Sequence, residues 1–290
     1  MTVHVALRGA IRRILNAGAP FLIRWPRGFG LFETALYLQV GSLEWLRRHR
    51  LIIGELERMR RAARLERLRV LDFGGLSGSL AHAIRLYRLT DRYEIHVVDI
   101  EREAIELVEL RPPLAGKLAI DPVPPLPYDD RSFDVVASSD VFEHIPRDLR
   151  RGWAQELARV ARIGQVHTVP CDSADLRWDS TAVDREFATW YESAMGEPER
   201  WTAEHIANGV PSVEELNAIF HPTEIRGLAN TKIWMDSMRV QFGPSSASRR
   251  LLYIARYIAR RRSDLRPPFK GCLIVVDVQR PATGSLKVHS

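Results

Sequence analysis

The sequence predicts an α/β chain built on a doubly wound, mostly parallel sheet, and three observations carry that prediction. Short apolar runs of strand length, at Leu68 to Phe73, Tyr93 to Val98, Phe133 to Ser138 and Gly164 to Val169, are each bounded by turn residues or carboxylates. Between them lie stretches whose apolar residues recur with helical spacing, which is the alternation of a parallel sheet covered on both faces. The third is the run Val70-Leu71-Asp72-Phe73-Gly74-Gly75-Leu76-Ser77-Gly78. It stops at a carboxylate and breaks into a glycine-rich turn at the carboxyl end of a strand, where open parallel sheets bind ligands and where glycine lets backbone approach them.

In chain order, residues 3–24 set Leu7, Ile11, Ile14 and Leu15 at helical spacing among arginines, so an amphipathic helix is expected to end near Ala17. Its apolar face either covers the core or lies on a membrane surface. From Ser42 to Leu68, the positions Leu43, Leu46, Leu51, Ile52, Leu56 and Met59 predict a longer helix feeding the first strand. Leu80, Ala83, Ile84 and Tyr87 form one face of the helix after the glycine turn. The second strand ends at Asp99, 21 positions after Gly78, where a neighbouring strand places a carboxylate able to accept both hydroxyls of a ribose. A helix over Glu101 to Leu110 is closed by Pro112-Pro113, and Leu118 to Ile120 is the third strand, with Asp121 at its end. Pro122, Pro124, Pro125 and Pro127 stiffen the next loop, which is either a wall for a planar ring or a connector.

Strand four delivers Ser139, Asp140, Val141 and Phe142 to the same edge as Gly74 and Asp99. Leu149, Trp153, Leu157 and Val160 then form the stripe of a helix on the sheet. From Cys171 to about Phe220, Trp178, Trp190, Tyr191 and Trp201 stand among polar residues, as an acceptor lid or as a small core of their own. Ser212-Val213-Glu214-Glu215 is a capping box that starts a helix running to about Phe220. Arg249 to Arg262 contains no acidic residue and places Leu251, Ile254, Ala255 and Ile258 on one face. It is either a packed helix with a solvated basic flank or a helix for an anionic lipid surface, in which case replacing Arg256, Arg260 and Arg261 by Glu weakens binding. Cys272 to Val278 is a last strand, and Pro281 to Ser290 is expected to be a loose tail.

Composition narrows the class. The chain has 290 residues, 46% of them apolar, which suffices for one α/β domain of about 150 to 200 residues with an extension. Cys171 and Cys272 are too few for a disulfide framework, so a reducing cytoplasm is expected. No run of 18 uncharged apolar residues predicts a spanning helix, and Arg8, Arg12, Arg13, Arg24 and Arg27 break up any signal-peptide core. The net charge of +6 is uneven: residues 1–69 hold fourteen arginines against five glutamates. Such an excess suits nucleic acid, an acidic substrate or an anionic membrane face.

Asp72-Phe73-Gly74-Gly75-Leu76-Ser77-Gly78, Asp99, the run Leu126-Pro127-Tyr128-Asp129-Asp130-Arg131-Ser132-Phe133-Asp134-Val135-Val136 and Asp140-Val141-Phe142-Glu143-His144-Ile145 together resemble the class I S-adenosylmethionine-dependent methyltransferases. The likeness is strongest to the small-molecule subgroup that includes the ubiquinone and menaquinone methylases, and it covers about residues 68–170. One departure is Leu76, where the family usually has glycine. The resemblance implies a seven-stranded Rossmann-like sheet with the last strand inserted antiparallel, N-terminal helices over the substrate pocket and an inserted helical lid. It divides the chain into an extension at 1–67, a donor-binding core at 68–170, a lid at 171–220 and a C-terminal completion at 221–290.

For the site, the resemblance implies S-adenosyl-L-methionine held by Asp72, Gly74, Gly75, Gly78, Asp99, Asp121 and Ser139. It places the acceptor beside Ser139 to Phe142, with His144 as the candidate base, and His167 and His205 as weaker ones. Asp140, Glu143 and His144 also resemble the Glu-x-x-Glu-His run with which some quinone-biosynthetic and RNA-end methyltransferases hold a divalent cation. Ser139-Asp140-Val141-Phe142 lacks the Asn- or Asp-Pro-Pro-Tyr element expected for nucleic-acid nitrogen. The expected activity is therefore methylation, at oxygen, of a small or lipid-linked acceptor such as a glycan, quinone or polyketide, by a cytoplasmic protein that can sit on the inner membrane face. Two alternatives stand beside it: a non-catalytic donor-binding or membrane-associated scaffold, and a nicotinamide-dependent oxidoreductase.

Overall fold

The computed structural model describes residues 31–173, 177–244, 246–260, 263–278 and 287–289. The amphipathic segment expected at residues 3–24 lies outside them. The chain runs α1 (Leu31–Val40), α2 (Leu43–Ala62), β1 (Leu68–Phe73), α3 (Ser79–Leu86), β2 (Tyr93–Asp99), α4 (Arg102–Leu107), β3 (Leu114–Ala119), β4 (Phe133–Ser139), α5 (Arg147–Val160) and β5 (Ala161–Pro170). The short pair β6 (Asp172–Ser173) and β7 (Trp178–Asp179) leads to α6 (Ser180–Met195), α7 (Arg200–Asn208) and α8 (Val213–Phe220). The chain then continues through β8 (Glu224–Asn230), α9 (Thr231–Phe242), α10 (Ala247–Arg260), β9 (Phe269–Asp277) and β10 (Lys287–His289).

The ordered path through the sheet is β10-β8-β9-β5-β4-β1-β2-β3. β1 to β5 are parallel, and β9 slots antiparallel between β5 and β8. Seven long strands were expected and all are present. The sheet is wider than expected because β6, β7 and β10 bring it to ten, and β10 pairs parallel with β8 inside the stretch read as a loose tail. β1 lies between β2 and β4, where the order of the parallel strands reverses, so residues leaving the carboxyl ends of β1, β2 and β4 share one crevice.

Alternation along the strands builds two cores. Leu68 and Val70 join α2, α3 and α10 on one face, while Leu71 and Phe73 join α5 and α8 on the other. α2 begins where the Ser42 hydroxyl accepts from Trp45 N at 3.2 Å, and it buries Leu43, Leu46, Ile52, Leu56 and Met59 as its spacing predicts.

Two boundaries and one buried face differ from the expectation. α4 stops at Leu107, short of the expected Leu110, because Lys117 Nζ donates to the Glu106 and Val108 carbonyls at 2.8 Å and satisfies the end of the helix there. β3 starts at Leu114, before the expected Leu118, since pairing with β2 overrides the weak strand preference of Ala115-Gly116-Lys117. In α10 the buried face is Ile254 and Tyr257 instead of Leu251 and Ala255. The tyrosine ring holds more apolar area than leucine or alanine, so the helix turns it inward and leaves Leu251 41% and Leu252 52% exposed. Among the described residues, no helix is long and apolar enough to cross a membrane.

Candidate active site

β1 ends beneath a sharp turn. Gly74 has φ +68°, and its N–H donates to Val98 O at 2.8 Å, tying the turn to the end of β2. A Cβ on Gly74 would come within 2.5 Å of Val141 Cγ2, and one on Gly75 within 2.4 Å of Asp72 Oδ2, so both positions require glycine. Leu76 is left-handed at φ +45°, the conformation that explains why glycine is usual there in the resembled family. A leucine in that region costs about 1–3 kcal/mol. The cost is offset because Leu76 N–H donates to Asp99 Oδ2 at 2.8 Å, a charge-assisted bond contributing about 1.5–3 kcal/mol. Asp99 Oδ1 accepts from Glu101 N at 2.9 Å, so this carboxylate staples the glycine turn to the segment after β2.

Above these strand ends lies a cavity of about 560 Å³. Of the residues read from the sequence, Asp72, Gly74, Gly75, Asp99, Ser139, Asp140, Glu143 and His144 line it. Two do not. Gly78, left-handed at φ +79°, begins α3 and lines a smaller adjoining opening. Asp121 is exposed outside the cavity: β3 finishes at Ala119, the chain turns, and its neighbours Ile120 and Pro122 face the cavity instead. Of the four loop prolines, Pro122 reaches the wall, where its carbonyl accepts from Trp153 Nε1 at 3.3 Å. Ile100, directly after Asp99, remains 57% exposed, and sequence reasoning missed it. An apolar side chain left open beside the carboxylate at a strand end is the local signal for a flat ring.

Asp72 is buried with Oδ2 unpartnered. Burial pushes its carboxyl up to about 7 against the pull of the Leu80 N–H, and Asp99 adds to the rise.

The far side of the cavity is built from the loop after β4 and from α6, α7, α9 and β9. Asp140 is already committed: Arg48 of α2 pairs with its Oδ2, and Thr168 Oγ1 donates to its Oδ1 at 2.9 Å. Glu143 is fully buried, and both its carboxylate oxygens lack a hydrogen-bond partner. His144 Nδ1 meets Glu204 Oε2 at 2.9 Å, His205 Nδ1 meets Asp184 Oδ2 at 3.1 Å, and the two Nε2 atoms lie 3.3 Å apart. Burial, reinforced by His205, pushes His144 down to about 4 despite Glu204. Burial pushes Glu143 up to about 8 against Lys270 and Arg48. Burial would also raise Asp184, but Lys270, whose Nζ stands 2.7 Å from Asp184 Oδ1, and His205 hold it below its ordinary value.

His167 does not reach this site. It is fully buried between Phe142 and Phe220, with Nδ1 at 2.7 Å from Ser138 Oγ and Nε2 at 3.0 Å from Gln165, and burial pushes it down to about 3. The aromatic residues of the insertion divide. Trp178 is core against Phe269, Trp190 and Tyr191 pack on Phe187, and Trp201 lines the cavity edge-on to His144. Phe187, Trp234, Met238 and Phe242 make an apolar wall beyond the imidazoles. Arg200 on α7 joins Glu204 to Glu101, so the inserted helix is tied to the loop that follows Asp99.

Residues 71–169 match a family profile described as a methyltransferase domain. No curated protein matches the chain. Among solved structures, it is similar to geranyl diphosphate C-methyltransferase from Streptomyces coelicolor A3(2), at 15% identity over 73% of this chain and 70% of that one, TM-score 0.45. It is also similar to the YcgJ protein of a Bacillus species, at 18% identity over 72% and 90%, TM-score 0.40, and to PKMT2 from Rickettsia typhi, at 13% over 77% and 51%, TM-score 0.43. Likenesses this distant carry no information on acceptor or chemistry.

Proposed function

We propose that this class I S-adenosylmethionine-dependent methyltransferase, identified by its domain at residues 71–169, transfers the methyl group to a hydroxyl of a small acceptor with an apolar body. The observation that carries the reading is the continuity of one cavity from the glycine turn and Asp99, through the Glu143, His144 and His205 cluster, to the aromatic wall of Phe187 and Trp234. A sulfonium is an activated donor, so the protein's main task is to align it with the nucleophile. The S–CH₃ bond breaks as the O–CH₃ bond forms, the electron pair stays on sulfur as a thioether, and the hydroxyl proton is lost at the imidazole–carboxylate cluster. His144 acts there as one member of the cluster, because its two nitrogens already face Glu204 and His205.

Labelled-methyl transfer to a panel of phenols, diols and amines of graded apolar size tests this. Hydroxyl acceptors with apolar bodies are expected to be methylated. Trp234→Ala is expected to raise their KM about tenfold, the worth of about 1.4 kcal/mol of lost burial, while calorimetric affinity for S-adenosylhomocysteine stays unchanged. Preference for amines overturns the oxygen assignment, and donor binding without transfer to any member returns the scaffold alternative.

The exposed Leu251 and Leu252, flanked by Arg249 and Arg256 on the outward face of α10, support association with an anionic lipid surface and hence an amphiphilic acceptor. Each basic side chain near such a surface contributes about 1 kcal/mol. Flotation with phosphatidylserine-containing liposomes is expected to fall severalfold for Arg256→Glu combined with Leu251→Ser and Leu252→Ser. Equal flotation of the two proteins removes the membrane from the reading.

A further inference from the structure

The cluster beyond the donor has a feature that proton transfer alone does not explain. His144 and His205 each present Nδ1 to a carboxylate, Glu204 and Asp184, so each Nδ1 carries the hydrogen and each Nε2 turns a lone pair inward. The two lone pairs face one another at 3.3 Å, and Glu143 Oε1 completes the group at 4.0 Å from His144 Nε2 and 3.8 Å from His205 Nε2. Three electron-rich atoms therefore converge on one point, and the carboxylate among them is fully buried with neither oxygen hydrogen-bonded. Such a group is costly unless something positive stands between its members.

We infer that Glu143, His144 and His205 form a divalent-cation site facing the acceptor, a conclusion that rests on the reading of this cluster as the acceptor's seat. The point equidistant from the three atoms lies about 2.2 Å from each, near the length of metal–imidazole and metal–carboxylate bonds, about 2.0–2.2 Å. The outward carboxylates reproduce the carboxylate–histidine–metal arrangement that fixes the tautomer and aims the ring. Lys270 in turn fixes Asp184. Two imidazoles and one carboxylate suit zinc, manganese or iron(II) better than magnesium or calcium, which prefer all-oxygen sets. When bound, the ion would make a coordinated hydroxyl more acidic, easing the loss of its proton at this cluster.

The ligand set differs from the one the sequence suggested. Asp140 is excluded by its bonds to Arg48 and Thr168, and His205, 61 residues from His144, takes its place. Glu143 and His144 come from the loop after β4 and His205 from the inserted α7, so the ion joins the core to the segment over the cavity.

Titration calorimetry of untagged, chelator-treated full-length protein with Zn²⁺ and Mn²⁺, together with the d–d absorption of the Co²⁺ form, tests the assignment. One equivalent is expected to bind and to raise Tm. Glu143→Gln and His205→Ala are expected to lose about 100-fold or more in affinity, and Glu204→Gln about 10- to 100-fold. Asp140→Asn is expected to stay within threefold. Substoichiometric binding, or native affinity in Glu143→Gln and His205→Ala, overturns the site. Methyl transfer that persists in chelated protein overturns it too while leaving the proposed function standing. Loss of affinity in Asp140→Asn with retention in His205→Ala returns the sequence-derived set.

Discussion

Asp99→Ala is expected to weaken S-adenosylhomocysteine binding by about 100-fold or more in calorimetry, and Asp99→Asn by about tenfold. The carboxylate does two jobs. Toward the protein it accepts from Leu76 N at 2.8 Å and Glu101 N at 2.9 Å, holding the left-handed Leu76 in place. Toward the cavity its remaining lone pairs are free for the two hydroxyls of a ribose. Hydrogen bonds to a charged group are worth about 1.5–3 kcal/mol each, so losing two of them corresponds to at least two orders of magnitude. The alanine also leaves the Leu76 and Glu101 amides without their acceptor, and Tm is expected to fall. The asparagine keeps a carbonyl for one amide but sets its NH2 against the other, so Tm is expected to fall by less than in the alanine variant, and comparing the loss of affinity with the loss of Tm across the pair separates sugar recognition from loop support. Native affinity in both variants means that no nucleoside rests on Asp99, and the donor assignment at the glycine turn falls with it.

What the sequence disclosed depended on how local its signal was. β1, β2 and β4 could be placed because each is a bounded apolar run that stops at a turn, and Gly74 because a backbone approach is written in its residue type. β3 was half missed because Ala115, Gly116 and Lys117 have no strand preference of their own and are held by β2. The face of α10 was misjudged because helical spacing alone does not rank Leu251 and Ala255 against Tyr253 and Tyr257, and the ranking is decided by what the neighbouring helices leave room for. The site divides in the same way. Asp72, Asp99, Glu143 and His144 sit in legible runs. Arg48 meets Asp140 across 92 residues, and His205 meets His144 across 61, so no spacing rule could join them. Asp121 is the converse case, a carboxylate read at a strand's nominal end that lies two residues past the observed end of β3, at Ala119, and is exposed.

Asp72→Asn is expected to make the donor-free protein more stable at pH 8 while weakening donor binding, two changes of opposite sign from one substitution. In the native state burial holds the Asp72 carboxyl up at about 7, whereas in the unfolded chain it titrates near its ordinary value of about 3.9. Between those values the native state binds a proton that the unfolded state has released, so stability falls as pH rises through this window and levels off above about 7. The loss is on the order of a few kcal/mol, because each tenfold change in proton affinity between the two states corresponds to about 1.4 kcal/mol. Asparagine has no proton to lose and keeps a carbonyl for the Leu80 N–H, so its stability lacks this contribution to the pH slope. Glu143 has a slope of the same sign through its own raised carboxyl, and the difference between native and variant protein isolates Asp72 from it. A donor that carries an α-ammonium group reverses the balance, since it supplies the positive charge that the unpartnered Oδ2 lacks. Donor affinity of the native protein should therefore rise between pH 5 and 7.5, and the variant's should be weaker and flat. Urea titrations at pH 5 and 8, with calorimetry at the same pH values, measure both. Parallel stability curves for the two proteins would show that Asp72 is ionised throughout, and a pH-independent donor affinity that the variant shares would place the ammonium elsewhere.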